Sequence, residues 1–345
     1  MTLVSEIVPT QETLGSLPEA LTHKKVAVVV PSYNEEIKIT AMLKEMPAFV
    51  NRIYVVDDAS TDGSVASVQQ AQAIDPRIEL VRHDANKGVG AAISTGYLRA
   101  MADDMDIAVV MAGDGQMDPA DLPALLRPVL RGQADYVKGN RFFHPSGISE
   151  IPRHRFFGNV ILSILTKIVA GYWHVSDTQC GYTAINRRAL AAIDWKAIYP
   201  RYGCPNDMLT KLNVANMRVA EVPVKARYGA DWASKLRAHR VALPILALLW
   251  RLFRYRTYYK YIVMNGHPIV MFYFFGLLAF LATVVLFVYV VTKFALTGVV
   301  PQAALIMFGI ALGVTLQLLL GAFSLDYQAN QKLMIDLSDQ DPTGS

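Results

Sequence analysis

Between residues 24 and 140, short apolar runs rich in β-branched residues alternate with stretches of helical periodicity. Val26–Val30 is a continuous apolar run, the pattern of a strand buried on both faces of a parallel sheet. Ile39, Leu43 and Met46 follow at the i, i+4, i+7 spacing of one helix face. The alternation repeats with a strand at Ile53–Val56, a helix from about Ser64, a strand at Ile78–Val81, a helix from about Val89 and a strand at Ile107–Met111. Repeated strand–helix units predict an α/β domain with an open, mostly parallel sheet and helices on both faces. From Phe142 to Arg240 the pattern is less regular, with a helix expected over Ile161–Val169 and a strand over Arg218–Ala226.

The last hundred residues follow another rule. Ile269–Val291 and Ala303–Leu325 are charge-free, and at 1.5 Å per residue each is long enough to cross a hydrocarbon core of about 30 Å. A pair of buried core helices is the bland alternative, but such helices rarely stay apolar on every face for six turns. Leu243–Tyr261, rich in Leu, Trp, Phe and Tyr with interspersed Arg, has the composition of a helix lying in the membrane interface. The expected plan is a lead-in over 1–23, a catalytic domain over 24–240, a juxtamembrane interfacial region over 241–266, two transmembrane helices within 267–327 (about 269–291 and 303–325) and a tail over 328–345.

Composition and charge sharpen this plan. Hydrophobic residues make up 53% of the 345, an excess concentrated in those two stretches. Glu6, Glu12 and Glu19 stand where a signal peptide would carry its basic and apolar regions. Arg237, Arg240, Arg251, Arg254, Arg256 and Lys260 precede the first span, whereas the loop between spans has only Lys293. The positive-inside rule then predicts an integral membrane protein with the catalytic domain and both termini cytosolic. The net charge of +4 is largely this cluster, read as a contact with anionic headgroups; no nucleic-acid-binding motif accompanies it, and nucleic acid is not an expected partner. Cys180 and Cys204 lack a CxxC partner and cannot form a structural zinc site alone.

Candidate chemistry collects at the strand ends, where open α/β sheets bind ligands. The first strand ends in Pro31-Ser32-Tyr33-Asn34-Glu35-Glu36 and the second in Asp57-Asp58-Ala59-Ser60-Thr61-Asp62-Gly63. Asn86-Lys87-Gly88-Val89-Gly90 follows the third, and Gly113-Asp114-Gly115-Gln116 the fourth. Each has a structural alternative: Asn34 and Ser60 as helix caps, Gly63 as a turn, Gly88 and Gly90 as close packing of helix on sheet. Four polar strand ends on one edge are harder to explain that way.

The succession Val-Val-Pro-Ser-Tyr-Asn-Glu, Val-Val-Asp-Asp-Ala-Ser-Thr-Asp-Gly, Asn-Lys-Gly-Val-Gly-Ala-Ala and Gly-Asp-Gly-Gln resembles the family 2 glycosyltransferases of the GT-A fold. More narrowly it resembles the dolichol- or undecaprenyl-phosphate sugar transferases with two C-terminal transmembrane helices. The resemblance continues through Gly139-Asn140-Arg141, Asp177-Thr178-Gln179-Cys180-Gly181-Tyr182 and Ser234-Lys235.

That resemblance implies a Rossmann-like GT-A domain, a nucleotide-sugar donor (UDP- or GDP-sugar), a polyprenyl phosphate acceptor, Mg²⁺ or Mn²⁺, and a homo-oligomer. Asp114 matches the second acid of the family's Asp-x-Asp motif and Gln116 a further metal-side ligand; Ala112 stands where the first acid is expected. Mg²⁺ tolerates this, since it often takes only one or two carboxylates together with phosphate oxygens and waters. Pro31, Tyr33, Asn34, Glu35, Asp57, Asp58 and Gly113 match the donor cradle, Lys87 a donor-side cation or capping group, and Lys235 a phosphate-side cation. Arg141, Arg155 and Asn159 match the positions that hold the acceptor phosphate, and Asp177 and Gln179 line the site. A lipid phosphate is already ionised near neutral pH, so it needs positioning and charge neutralisation more than a general base. Asp207 is open between a base-like and a loop-orienting role. The expected reaction is an inverting transfer giving a polyprenyl monophosphate sugar. A processive polysaccharide synthase is the enzymatic alternative, without its Gln-x-x-Arg-Trp motif or multi-span channel; a catalytically silent scaffold or sensor is the other, favoured only by Ala112.

Overall fold

A computed structural model of the chain describes residues 23–143, 153–225, 227 and 238–337, leaving aside the side chains of 153–157, 159 and 238–242. The lead-in, Lys235 and the side chains of Arg155 and Asn159 lie outside this description. Eight strands form one sheet: β1 (Val26–Ser32), β2 (Arg52–Asp57), β3 (Ile78–Arg82), β4 (Ile107–Val110), β5 (Tyr136–Asn140), β6 (Thr183–Asn186), β7 (Val219–Pro223) and β8 (Met334–Ile335). Their order is β3-β2-β1-β4-β6-β5-β7-β8, parallel except for β6, which runs antiparallel to β4 and β5. The mostly parallel α/β sheet expected from the sequence is present.

The continuous apolar run of β1 has its reason in the layers. Val26, Val28 and Val30 pack on one face with Ile39, Leu43, Val68, Leu122 and Leu126. Ala27 and Val29 pack on the other with Tyr97, Trp195, Leu209 and Leu212. One layer therefore receives α1 (Glu36–Lys44), α2 (Ser64–Ile74) and α4 (Leu122–Leu130). The opposite layer receives α3 (Val89–Ala102), α6 (Arg187–Ala192) and α7 (Cys204–Val214). At about 1.5–3 kcal/mol per fully buried aliphatic side chain, this two-sided burial is the main force ordering the sheet. Helix α5 (Arg153–Ala170) covers the expected Ile161–Val169 and begins earlier.

The chain divides into two compact units, one running to Leu252 and resuming at Lys332, the other Phe253–Gln331. Helix α8 (Ala238–Arg256) leads into a π-helical stretch, Thr257–Met264. In the second unit α9 (Ile269–Thr297) and α10 (Gln302–Asn330) make a helical hairpin, turned at Gly298 with φ +67° and joined by a 3.1 Å contact between the Thr283 and Thr315 hydroxyls. Both helices are long and apolar enough to cross a membrane, and almost none of their apolar windows is buried.

At the base of this hairpin the structure corrects the reading of the basic cluster. Arg251 and Arg254 are exposed, but Arg256 and Lys260 are buried within the second unit. Arg256 Nη1 lies 2.8 Å from Asp326 Oδ1, which also accepts from the Tyr261 hydroxyl at 2.5 Å. Lys260 Nζ donates to Asn330 Oδ1 at 2.9 Å, and Asn330 Nδ2 donates to the Tyr261 hydroxyl at 2.9 Å. Burial, with the Arg256 charge beside it, pushes the Lys260 ammonium down to about 7. Removing one member of a buried ion pair costs about 3–5 kcal/mol, whereas replacing both with apolar residues is often neutral. Asp326→Asn is therefore expected to lower the unfolding temperature of the detergent-solubilised protein sharply, and the double variant Arg256→Met with Asp326→Leu to recover most of the loss, as read by thermal unfolding of the helical signal.

Candidate active site

β1 lies between β2 and β4, so three polar loops leave neighbouring strand ends. Backbone bonds stitch them together: Asp58 N donates to Ser32 O at 2.9 Å, and Gly113 N to Pro31 O at 3.1 Å. Asn34 sits at φ 57°, a conformation asparagine tolerates better than most residues. Its N–H donates to Ser60 Oγ at 3.0 Å, and its Oδ1 accepts from Thr61 N at 2.8 Å. Glu35 N donates to Ser64 Oγ at 2.8 Å. Asn34 and Ser60 thus bridge two loops; neither caps α1 or α2, whose N-caps are Glu35 and Gly63. Tyr33, on the same loop, keeps its ring partly exposed.

Asp57 and Asp58, adjacent and both buried, do different work. Asp58 Oδ1 lies 2.8 Å from His83 Nδ1 and accepts from Lys87 N at 2.9 Å, while Oδ2 accepts from Gly88 N at 2.7 Å. With His83 as its Nδ1–H tautomer, Nε2 accepts from the Thr95 hydroxyl at 2.9 Å. Asp57 Oδ2 accepts from Ser60 N at 3.2 Å, but its Oδ1 has no hydrogen-bond partner among the described residues. Ser32 Oγ is equally buried and unpartnered, and Ser32 is the register partner of Asp57 across β1 and β2. An orphaned buried acceptor costs about 1–3 kcal/mol, which a ligand N–H at this strand end would relieve.

Lys87 contributes its backbone to Asp58 and leaves its side chain exposed. Gly88 adopts φ +100°, and a Cβ there would meet Pro200 O at 2.5 Å. Close packing against the 199–204 segment, the structural alternative for this glycine, accounts for it. Asp207 Oδ2 holds that segment, accepting from Tyr199 N at 2.6 Å and Lys211 Nζ at 3.1 Å. Its loop-orienting role is the one the geometry displays.

After β4, Asp114 Oδ1 accepts from Gln116 N at 3.0 Å, in a turn that needs Gly115 at φ +72°. Arg227 N donates to Gln116 O at 3.0 Å and its Nη2 to Asp118 Oδ1 at 2.8 Å, tying the turn from outside. Among the described residues no three His, Cys, Asp or Glu side chains gather as a metal cluster. One carboxylate and one amide fit a hard cation that takes its remaining ligands from phosphate and water.

At the carboxyl end of β5, Arg141 Nε and Nη2 reach Asp177 Oδ2 and Oδ1 at 2.7 and 2.9 Å, a two-bond fork that fixes the guanidinium plane. Arg141 is about one-fifth exposed and Asp177 buried. Gln179 Nε2 donates to Thr178 Oγ1 and Asn206 Oδ1, both at 2.9 Å, which turns it toward α7.

Sequence alone does not single out His83, although it directly follows a strand end as the polar motifs do. Nor does it single out the Ser32 hydroxyl, which lies in the motif at the end of β1 with nothing local to distinguish it.

The family model "Glycosyl transferase family 2" matches residues 27–194. The chain is 28% identical over 218 residues to a UDP-N-acetylglucosamine–dolichyl-phosphate N-acetylglucosaminyltransferase of Methanococcus voltae, covering 59% of this chain and 86% of that protein. It is 30% identical over 203 residues to an undecaprenyl-phosphate mannosyltransferase of Micrococcus luteus, covering 58% and 82%. A solved structure of glucosyl-3-phosphoglycerate synthase from Mycobacterium tuberculosis with UDP superposes with a TM-score of 0.54 at 20% identity, over 71% of this chain and 86% of that one. At that identity the likeness is one of fold.

The contrast between the two aspartates is testable. Asp58→Asn should destabilise the protein by about 2 kcal/mol or more, because two backbone donors and His83 lose a charged acceptor. Asp57→Asn should leave stability within about 1 kcal/mol. Thermal unfolding of both variants checks this; equal losses of stability would contradict the assignment.

Proposed function

The chain belongs to glycosyl transferase family 2, and from that membership we propose that it transfers a sugar, with inversion, from a UDP- or GDP-sugar to polyprenyl phosphate. Relatives named for sugar transfer to dolichyl or undecaprenyl phosphate support the acceptor class. The observation that carries the reading is the state of the acids. Asp58, Asp177 and Asp207 are each committed to hydrogen bonds within the protein, while Arg141 is held as a fixed cation. Such a site suits an acceptor that arrives already ionised and needs a positive anchor.

In this reading Asp57 Oδ1 and Ser32 Oγ receive ring or ribose donors of the nucleotide, beneath Tyr33, with Asn34, Glu35 and Gly113 shaping the loop. Arg141, with Arg155 and Asn159, grips the lipid phosphate. An oxygen of that phosphate attacks the anomeric carbon from the face opposite the leaving group. The bond from that carbon to the nucleoside diphosphate breaks, and its electron pair leaves on the diphosphate oxygen; no proton moves. Asp114 and Gln116 would hold Mg²⁺ or Mn²⁺, which neutralises the charge on the departing diphosphate. Lys235 would act on the same phosphates.

The reading also includes two membrane crossings, a homo-oligomer, and a catalytic domain on the cytosolic side. β8 follows both long apolar helices in the chain and pairs with β7, which precedes them. That pairing supports an even number of crossings, independently of the distribution of Arg and Lys.

Purified protein incubated with a panel of nucleotide sugars, Mg²⁺ or Mn²⁺ and undecaprenyl phosphate should yield a lipid-linked sugar. Absence of both product and nucleotide release across the panel would favour the silent-scaffold alternative. Asp114→Asn should abolish transfer, whereas Ala112→Asp should lower the metal concentration for half-maximal rate by supplying a second carboxylate. For topology, a reporter fused at Ser345 should read as cytosolic; a periplasmic signal would overturn the two-crossing plan.

A further inference from the structure

We propose that Glu221, in the middle of β7, is a positioning residue for Arg141: its carboxylate sets the two chain segments that fix the guanidinium, and so tunes acceptor-phosphate binding. The proposal rests on the reading of Arg141 as the acceptor cation.

β7 otherwise reads Val-Ala-x-Val-Pro, with Val219, Ala220 and Val222 buried in the core, and an acid in such a run calls for a reason. Glu221 is the register partner of Lys138 on β5, so it lies two positions from Asn140 and three from Arg141 on the neighbouring strand. Its Oε1 accepts from Asp177 N at 3.0 Å. Its Oε2 accepts from Ser176 N and from Asn140 Nδ2, both at 2.9 Å. These bonds lead to Arg141 by two routes.

Through the first route, Glu221 fixes the backbone of Ser176 and Asp177. The Asp177 carboxylate in turn accepts from Arg141 N at 3.2 Å, Nε at 2.7 Å and Nη2 at 2.9 Å. Through the second, it orients the Asn140 amide so that Asn140 Oδ1 accepts from Phe142 N at 2.8 Å. Arg141 is thus held by its side chain from one segment and by its flanking backbone from the other, and one carboxylate orders both. Lys138 closes the same turn from below, donating from Nζ to Cys180 O at 2.6 Å.

Burial pushes the Glu221 carboxyl above the ordinary range, opposed by the two backbone donors, the Asn140 amide and the Lys138 charge. An apolar residue would suit β7 packing at lower desolvation cost, but it would leave Ser176 N, Asp177 N and Asn140 Nδ2 without their acceptor.

The test compares full-length wild type, Arg141→Ala, Glu221→Gln and the double variant, measuring KM for undecaprenyl phosphate, kcat and the calorimetric Kd for nucleotide sugar. Arg141→Ala should lower kcat/KM for the lipid by about ten- to a hundredfold, with nucleotide Kd unchanged. Glu221→Gln, which keeps the shape and one acceptor, should lower it by about tenfold, chiefly through KM, again with nucleotide Kd unchanged. In the Arg141→Ala background the Glu221 substitution should add less than about twofold, because the two act through one contact. A lipid effect in Arg141→Ala with none in Glu221→Gln overturns the positioning role alone. Multiplying effects in the double variant, or an equal loss of nucleotide affinity, also overturn it. No lipid effect in Arg141→Ala overturns the acceptor reading and this proposal with it. Should Glu221→Gln fail to fold, Asn140→Ser interrupts the second route with the sequence of β7 unchanged; it must reproduce the selective rise in lipid KM, and a wild-type KM there sinks the proposal.

Discussion

Hydrogen bonds from His83 Nδ1, Lys87 N and Gly88 N converge on the buried carboxylate of Asp58, and the layout of the strand ends depends on them. Desolvating a carboxylate costs several kcal/mol, and charge-assisted bonds of roughly 1.5–3 kcal/mol each offset that cost only when several are made at once. The requirement is therefore geometric: the loop after β3 must come to β2 for the charge to be tolerable. Because Asp58 N is itself tied to Ser32 O, the loop after β1 is drawn into the same arrangement.

The same device recurs at other junctions between segments. Asp135 accepts from Arg218 N, Nε and Nη2 and from Asn186 Nδ2, fastening the start of β7 and the end of β6 to β5. Asp207 fastens the segment beneath Gly88, and Glu221 and Asp177 together fasten the end of β5. Strand ends leave backbone donors that no ladder satisfies, and here acids rather than further secondary structure satisfy them. A surface assembled this way is pre-organised before any ligand arrives, which is what a reaction run on positioning and charge requires.

The parts of this plan that the sequence displayed were those written in local pattern. β1, β2 and β4 showed as apolar runs because both of their faces are buried, and α9 and α10 because almost nothing polar interrupts them. β5 did not show, since Lys138 and Asn140 are buried polar groups that break the run, and their partners at Cys180 and Glu221 are remote in sequence. β6 is four residues long and antiparallel, and β8 two residues long, too short for any period to register. Asp57 and Asp58 read as one acidic pair, and only the fold reveals that both oxygens of Asp58 accept hydrogen bonds while Oδ1 of Asp57 has no partner among the described residues. Arg256 and Lys260 looked like headgroup ligands because Asp326 and Asn330, which hold them, lie about seventy positions away.

The placement of β8 has a consequence for how the protein is made. A chain leaves the ribosome from its N-terminus, so β1 through β7 can pair while the apolar hairpin is still to be synthesised. Until Met334 and Ile335 emerge, β7 presents a row of unpaired backbone groups on its outer side, the kind of edge that recruits foreign strands. Pairing with β8 covers the Val219 and Ala220 part of that edge only after the hairpin has been translated. Maturation of the sheet therefore waits on the hairpin, and a nascent chain stalled at that stage exposes a sticky margin that a chaperone or a degradative protease can recognise.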